Sequence, residues 1–131
     1  MYPIRRESLS TFVKVRHHSY HVRQWGKRQD GVPPLFLMHG WMDVGASFQF
    51  VVDAMQADRW VLAPDWRGYG LTTGPETDNF WFPDYIADLD ALIDHYSADQ
   101  PIDLVGHSMG GNVVMLYAGV RPERIRRLVN L

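Results

Sequence analysis

From residue 33 onward the chain alternates two hydrophobic periodicities, and this restricts its fold more than any other feature. The runs "PPLFLMHG" (33–40), "RWVLAPDWRGYG" (59–70), "IDLVGHS" (102–108) and "IRRLVNL" (125–131) read as short apolar strands. The first is led by prolines and ends in glycine, as suits a strand buried on both faces. Between these runs, "ASFQFVVDAMQ" (46–56) spaces Phe48, Val51, Val52 and Met55 as a helix does. "FPDYIADLDALIDHYS" (82–97) places Ile86, Leu89, Leu92, Ile93 and Tyr96 on one helical face, with Asp88, Asp90 and Asp94 away from it. Pro83 fits its first turn. "GGNVVMLYAGV" (110–120) is apolar nearly all round, which predicts a buried helix that Pro122 stops. Ahead of all this, "TFVKVRHHSYHVRQWG" (11–26) alternates as two strands with a turn near His18–Ser19. Strands and helices in this order predict an α/β fold, a mostly parallel sheet flanked by helices. Such sheets bind ligands at the carboxyl ends of their strands. His39–Gly40, Asp65–Gly70 and Ser108 all fall at such ends.

Composition narrows the function classes. With 131 residues, 46% of them hydrophobic, the chain can bury a core, and one domain is expected. Thirteen basic and fifteen acidic residues leave a formal charge of -2, and no basic stripe marks a nucleic-acid partner. The absence of cysteine excludes a thiol nucleophile, disulfides and Cys-ligated zinc, and it fits a reducing, cytoplasmic setting. "MYPIRRESLS" lacks the apolar core of a signal peptide, and no run approaches the ~20 residues of a membrane span, so no membrane partner is expected.

The segment "GHSMGG" (106–111) carries the clearest chemistry. G-x-S-x-G alone is a weak signal, since an ordinary strand-to-helix turn can hold it. Here Gly106, His107, Ser108, Met109 and Gly110 join an apolar strand to an apolar helix, where a nucleophile elbow sits. The tight turn strains the serine and crowds the flanking positions, which favours glycine there. The following helix directs its positive end at the serine. In "HGWMD" (39–43), Gly40 permits a sharp exit from the buried strand. If the Trp41 and Met109 N–H groups both point inward, they form a two-donor oxyanion hole. His39 reads as a support for that loop.

"LMHGWMD", "PDWRGYGLT" and "LVGHSMGGNVVMLYA", in this order and spacing, resemble the amino-terminal half of an α/β-hydrolase of the serine esterase or lipase type. The resemblance covers essentially the whole chain. It implies Ser108 as nucleophile, the Trp41 and Met109 backbone N–H groups as oxyanion donors, no cofactor and no metal. It implies supporting roles for His39, Gly40, Gly106, His107, Gly110, Asp65 and Arg67. Aspartate-nucleophile branches fit poorly, because position 108 is serine. The serine branch includes carboxylesterases, lipases, lactonases, thioesterases, carbon–carbon hydrolases and haloperoxidases, and the sequence does not choose among them. The aromatics around "DNFWFPDY", with Trp66, Phe80 and Trp81 foremost and Trp41, Tyr69 and Phe82 beside them, are expected to line a pocket for a small apolar ester or related acyl substrate.

A serine nucleophile needs a base, and in this family the chain order is Ser, then Asp or Glu, then His. After Ser108 the only acid is Glu123, expected in a turn at the wrong end of the sheet, and there is no histidine. His17, His18 and His21 are expected on early strands as solvated side chains, a metal set being the less common outcome for such a cluster. His95 is expected on a covering helix and His107 to point away. Asp65 approaches the rim, with no histidine expected beside it to orient. The expectation is therefore that residues 1–131 form the amino-terminal portion of a single α/β-hydrolase domain. Its acid and histidine would come from a carboxyl-terminal half or a second chain. The alternative is a non-catalytic α/β-hydrolase-like module for binding or assembly.

Overall fold

The computed structural model describes residues 1–131. Strands β1 (Ser8–Val15) and β2 (His18–Trp25) form a hairpin, followed by β3 (Leu35–Met38), helix α1 (Gln49–Ala54) entered through a 3-10 turn, β4 (Val61–Pro64), α2 (Phe82–Ser97), β5 (Ile102–Gly106), α3 (Met109–Val120) and β6 (Ile125–Asn130). The six strands lie in the order β1-β2-β4-β3-β5-β6. β1, β2 and β4 pair antiparallel, and β4, β3, β5 and β6 run parallel. This is the α/β arrangement that the alternation of periods predicts.

The two faces of the sheet carry separate cores. Phe36, Met38, Leu62, Ile102 and Leu104 pack under α2 and α3. Leu35, Leu37, Val61 and Ala63 pack under Phe48 and Val52 on the α1 side. Neighbouring residues of β3 and β4 therefore serve opposite cores, which is why these strands are apolar without interruption. No helix is long and apolar enough to cross a membrane.

Several local expectations change in the folded chain. The hairpin turns at Arg16–His17, two residues earlier than expected, since Val15 pairs with His18; Arg16 takes up the turn at φ 54°. In α1 Val51 is exposed while Asp53 is buried beside Val52, because Asp53 Oδ1 accepts the backbone N–H of Arg6 at 2.8 Å and tethers the amino-terminal segment. Asp88, expected on the solvent face of α2, is fully buried. It accepts a bidentate pair from Arg67 at 2.6 and 2.7 Å and the hydroxyl of Tyr20 at 2.6 Å. Helix α3 is not buried all round: Gly110, Gly111, Val113, Val114 and Tyr117 face the sheet, whereas Met115, Leu116 and Val120 face solvent. Val129 of β6 and Leu131 are exposed as well.

Candidate active site

Three loops leave the carboxyl ends of β3, β4 and β5 and meet on one rim. Ser108, between β5 and α3, has φ 55° and ψ -117°, outside the region a serine ordinarily occupies. Strain of this kind costs about 1–3 kcal/mol and persists only where the surroundings impose it. Those surroundings are visible. A methyl group on Gly110 would run into the carbonyl oxygens of Met38 and His39, so α3 starts as close to β3 as backbone allows. Gly106, on the other flank, is buried and faces the Gly110 carbonyl and Val114. Ser108 N–H donates to Leu131 O at 3.0 Å, and His107 N–H donates to Met38 O at 3.0 Å. The Ser108 side chain is left exposed at the end of α3.

The loop after β3 comes directly against the serine. A Cβ built on Gly40 would lie 3.0 Å from Ser108 Cβ and 3.2 Å from His107 Nδ1. The next residue is Trp41, largely exposed, and then Met42 at φ 55°. Met109 is the first residue of α3, so its N–H has no intrahelical acceptor. The start of α3 and the loop that carries Trp41 thus flank Ser108, and the N-terminal end of the helix favours negative charge there.

His39 is fully buried and holds this loop to the next one. Its Nδ1 lies 2.7 Å from Gly40 O, and its Nε2 accepts the Trp66 backbone N–H at 2.9 Å. Burial lowers its pKa below the ordinary histidine value. Asp65 braces the same loops: Oδ1 accepts from Gly45 N at 2.7 Å, Oδ2 from Leu71 N at 2.9 Å.

The aromatic residues sort differently from the sequence reading. A cavity of about 140 Å³ is lined by Trp41, Tyr69, Phe80, Phe82, Tyr85 and Met109. Since Trp41 follows Gly40 and Met109 follows Ser108, the cavity lies beside the serine. Phe80 is among its lining residues. Trp66 is not: it is fully buried, donating its indole N–H to His39 O at 3.0 Å and packing behind Tyr85. Trp81 is not either: it precedes the first turn of α2 and is exposed. Tyr85 was not expected here. Its signal was the three-residue spacing from Phe82, which puts both on one face of α2. Burial raises the Tyr69 and Tyr85 phenols, the latter to about 12. A larger cleft of about 360 Å³ lies on the other side of Phe80, with a mostly polar lining that includes His18, Thr72 and Thr73 and does not reach Ser108.

No histidine hydrogen-bonds Ser108. His107 is its neighbour but lies against Gly40. His95 is exposed and packs on Tyr96. Glu123 pairs with Arg121 beside the start of β6, at the opposite end of the parallel strands. His18 and His21 point to opposite faces of the hairpin, so they cannot join in one ligand set; His18 neighbours Tyr20, whereas His21 packs on Phe12. The expectation for Asp65 and His21 is corrected. His21 is buried, and its Nδ1 lies 2.8 Å from Asp65 Oδ2. Their spacing in sequence gives no hint of this, because β2 and β4 are brought side by side only by the sheet.

The sequence model of the alpha/beta hydrolase fold matches residues 33–131. A serine hydrolase-like protein of Danio rerio is 31% identical over 99 residues, covering 75% of this chain and 30% of its own length. A 2-hydroxy-6-oxo-2,4-heptadienoate hydrolase of Pseudomonas putida is 33% identical over 99 residues, covering 73% and 36%. The thioesterase domain from the curacin biosynthetic pathway superposes with a TM-score of 0.83 at 28% identity, covering 95% of this chain and 44% of that one. The chain spans about a third of the length of the curated relatives it matches.

Proposed function

The chain belongs to the α/β-hydrolase family, and on that premise we propose that it carries the nucleophile of a serine hydrolase acting on small apolar carboxylic esters. In this reading Ser108 Oγ attacks the ester carbonyl. The Trp41 and Met109 N–H groups receive the oxyanion, and the alcohol leaves to give an acyl-enzyme that water hydrolyses. The observation that carries the reading is the backbone of Ser108. A solvent-facing serine is held at positive φ between β5 and α3, with the Gly40 loop in contact with its Cβ.

A serine hydroxyl is a poor nucleophile until a base takes its proton. None of the six histidines is placed to do so, and we assign the acid and the histidine to a carboxyl-terminal half of the fold or to a second chain. The exposed Met115, Leu116, Val120 and Val129 support this, as apolar surface that further elements would cover. The same lack of a base at Ser108 is what favours the second reading, a non-catalytic module for binding or assembly.

The deciding experiment is hydrolysis of a nitrophenyl acyl ester by the protein, completed with whatever supplies the histidine, beside its Ser108→Ala variant. The nucleophile reading expects the variant to lose more than ~10⁴-fold in kcat. Equal rates would overturn it and leave the binding module.

A further inference from the structure

The outer face of the β1–β2 hairpin holds a second serine in a relay that Ser108 lacks. The register sets Ser10 opposite Arg23 and Phe12 opposite His21, so Ser10 and His21 are diagonal neighbours on one face. His21 Nε2 lies 2.9 Å from Ser10 Oγ, while its Nδ1 lies 2.8 Å from Asp65 Oδ2. Asp65 is fixed in turn by the Gly45 and Leu71 N–H groups at 2.7 and 2.9 Å. An ionised carboxylate only accepts hydrogen bonds, so the Nδ1 side carries the ring proton. In the neutral imidazole Nε2 is then an acceptor, and the Ser10 hydroxyl donates to it. This is the hydroxyl–base–orienter order that activates a nucleophile. His21 and Asp65 are buried, whereas Ser10 is exposed.

The geometry points to Ser10, His21 and Asp65 as a second reactive serine site, one that accepts acyl groups from activated aryl esters. Ser10 Oγ bonds to the acyl carbon as its proton passes to His21 Nε2. The carbon–oxygen bond to the aryl group breaks, and the leaving phenolate takes the proton from His21, leaving an ester on Ser10. The exposed Phe12 ring, its centroid 5.3 Å from that of His21, offers the aryl group an apolar surface. Ser10 sits within a strand rather than at a helix N-terminus, so the helix-end stabilisation of an oxyanion present at Ser108 is missing. That restricts the site to good leaving groups. Four inter-strand spacings of ~4.8 Å, roughly 19 Å, separate β1 from β5, so the site is independent of Ser108.

The chain has no cysteine, so Ser10→Cys creates its single thiol. The rate of iodoacetamide alkylation against pH reads that thiol's ionisation. Ser8→Cys is the matched control: the Ser8 hydroxyl meets Arg23 Nη1 at 2.8 Å, so its thiol shares the Arg23 cation but has no contact with His21, and the difference between the two positions belongs to His21. The ionisable groups facing position 10 are His21, with Asp65 behind it, and Arg23 across the strand; Lys14 lies two positions beyond Phe12. The Arg23 guanidinium holds the Ser8→Cys midpoint below the ordinary ~8.5, and a relay at Ser10 moves the Ser10→Cys midpoint at least one further pH unit down. His21→Gln in the Ser10→Cys background returns it to the control value. In a Ser108→Ala background, exposure to nitrophenyl acetate then acylates Ser10 about 10²-fold faster than Ser8, as mapped by peptide mass. Coincident alkylation profiles, or acyl groups spread evenly over the exposed serines, would overturn the proposal. Should His21→Gln fail to fold, the comparisons of position 10 with position 8 still decide it.

Discussion

Trp66 and His39 hold each other through two hydrogen bonds: the Trp66 backbone N–H donates to His39 Nε2 at 2.9 Å, and its indole N–H donates to the His39 carbonyl at 3.0 Å. The pair ties the loop after β3 to the loop after β4. It also fixes the neutral imidazole, because a protonated Nε2 would confront the Trp66 N–H with a second donor.

Acid should therefore loosen the rim. Burial keeps the native His39 pKa below its value in the unfolded chain, near ~6.5. Below that pH the unfolded chain binds more protons than the native one, so stability falls as pH falls; above it this contribution is flat. Thermal unfolding followed between pH 8 and 5 should show Tm declining on the acid side. His39→Asn, less stable at neutral pH, should show a shallower decline. His18 is also lowered by burial and stays in both proteins, so the difference in slope belongs to His39. Parallel slopes would refute the assignment.

The strain at Ser108 predicts opposite effects on stability and activity. Ser108→Gly relieves a positive φ on an exposed residue, and urea unfolding should show a gain of about 1 kcal/mol. Ser108-dependent ester turnover should vanish in the same variant. A loss of stability would mean that the elbow is not strained.

The buried Arg67–Asp88 pair should be costly to break on one side only. Asp88→Ala leaves a guanidinium buried without its partner and should destabilise by about 3–5 kcal/mol. Removing both charges with Arg67→Met and Asp88→Leu should recover much of that loss. Denaturant unfolding of the two variants tests this, and a double variant no better than Asp88→Ala would contradict it.

The cavity beside Ser108 predicts acyl selectivity. About 140 Å³ is close to the ~150 Å³ that accommodates benzene. Esters with a single-ring or medium-length acyl group should have higher kcat/KM than acetates. Phe80→Ala should shift the preference toward longer acyl groups, while Trp81→Ala should leave it unchanged. A shift with Trp81 rather than Phe80 would place the acyl group elsewhere.

The 131 residues by themselves should show no Ser108-dependent turnover. General-base assistance is typically worth 10²–10⁴-fold, and no histidine reaches Ser108. Assay of this chain with an activated ester, beside Ser108→Ala, checks it. A Ser108-dependent rate in the range of ordinary esterases would mean that a histidine in the chain moves into place.

How much of this was legible depends on how local each cause is. Ser108, Gly106 and Gly110 could be read because an elbow is made by consecutive residues, and the boundaries of α2 because its apolar face repeats within sixteen residues. Trp66 and Trp81 do not line the cavity beside Ser108: hydrophobicity does not say which neighbour a side chain meets, and Trp66 packs behind Tyr85 while Trp81 stays exposed. Asp88 defeated the pattern of α2 because its reason to be buried, Arg67, lies 21 positions away.

The sequence alone determined the class of the fold and the place of the serine. Both follow from periodicity and turn chemistry acting over a few residues, where chain connectivity leaves few alternatives. Only the tertiary structure decided which charged and aromatic side chains meet. Asp65 finds His21 from 44 positions away and Gly45 from 20, and Tyr85 joins Trp41 in one cavity. Such pairings depend on strand order and register, and a shift of one residue in β2 would turn His21 to the opposite face, away from Asp65.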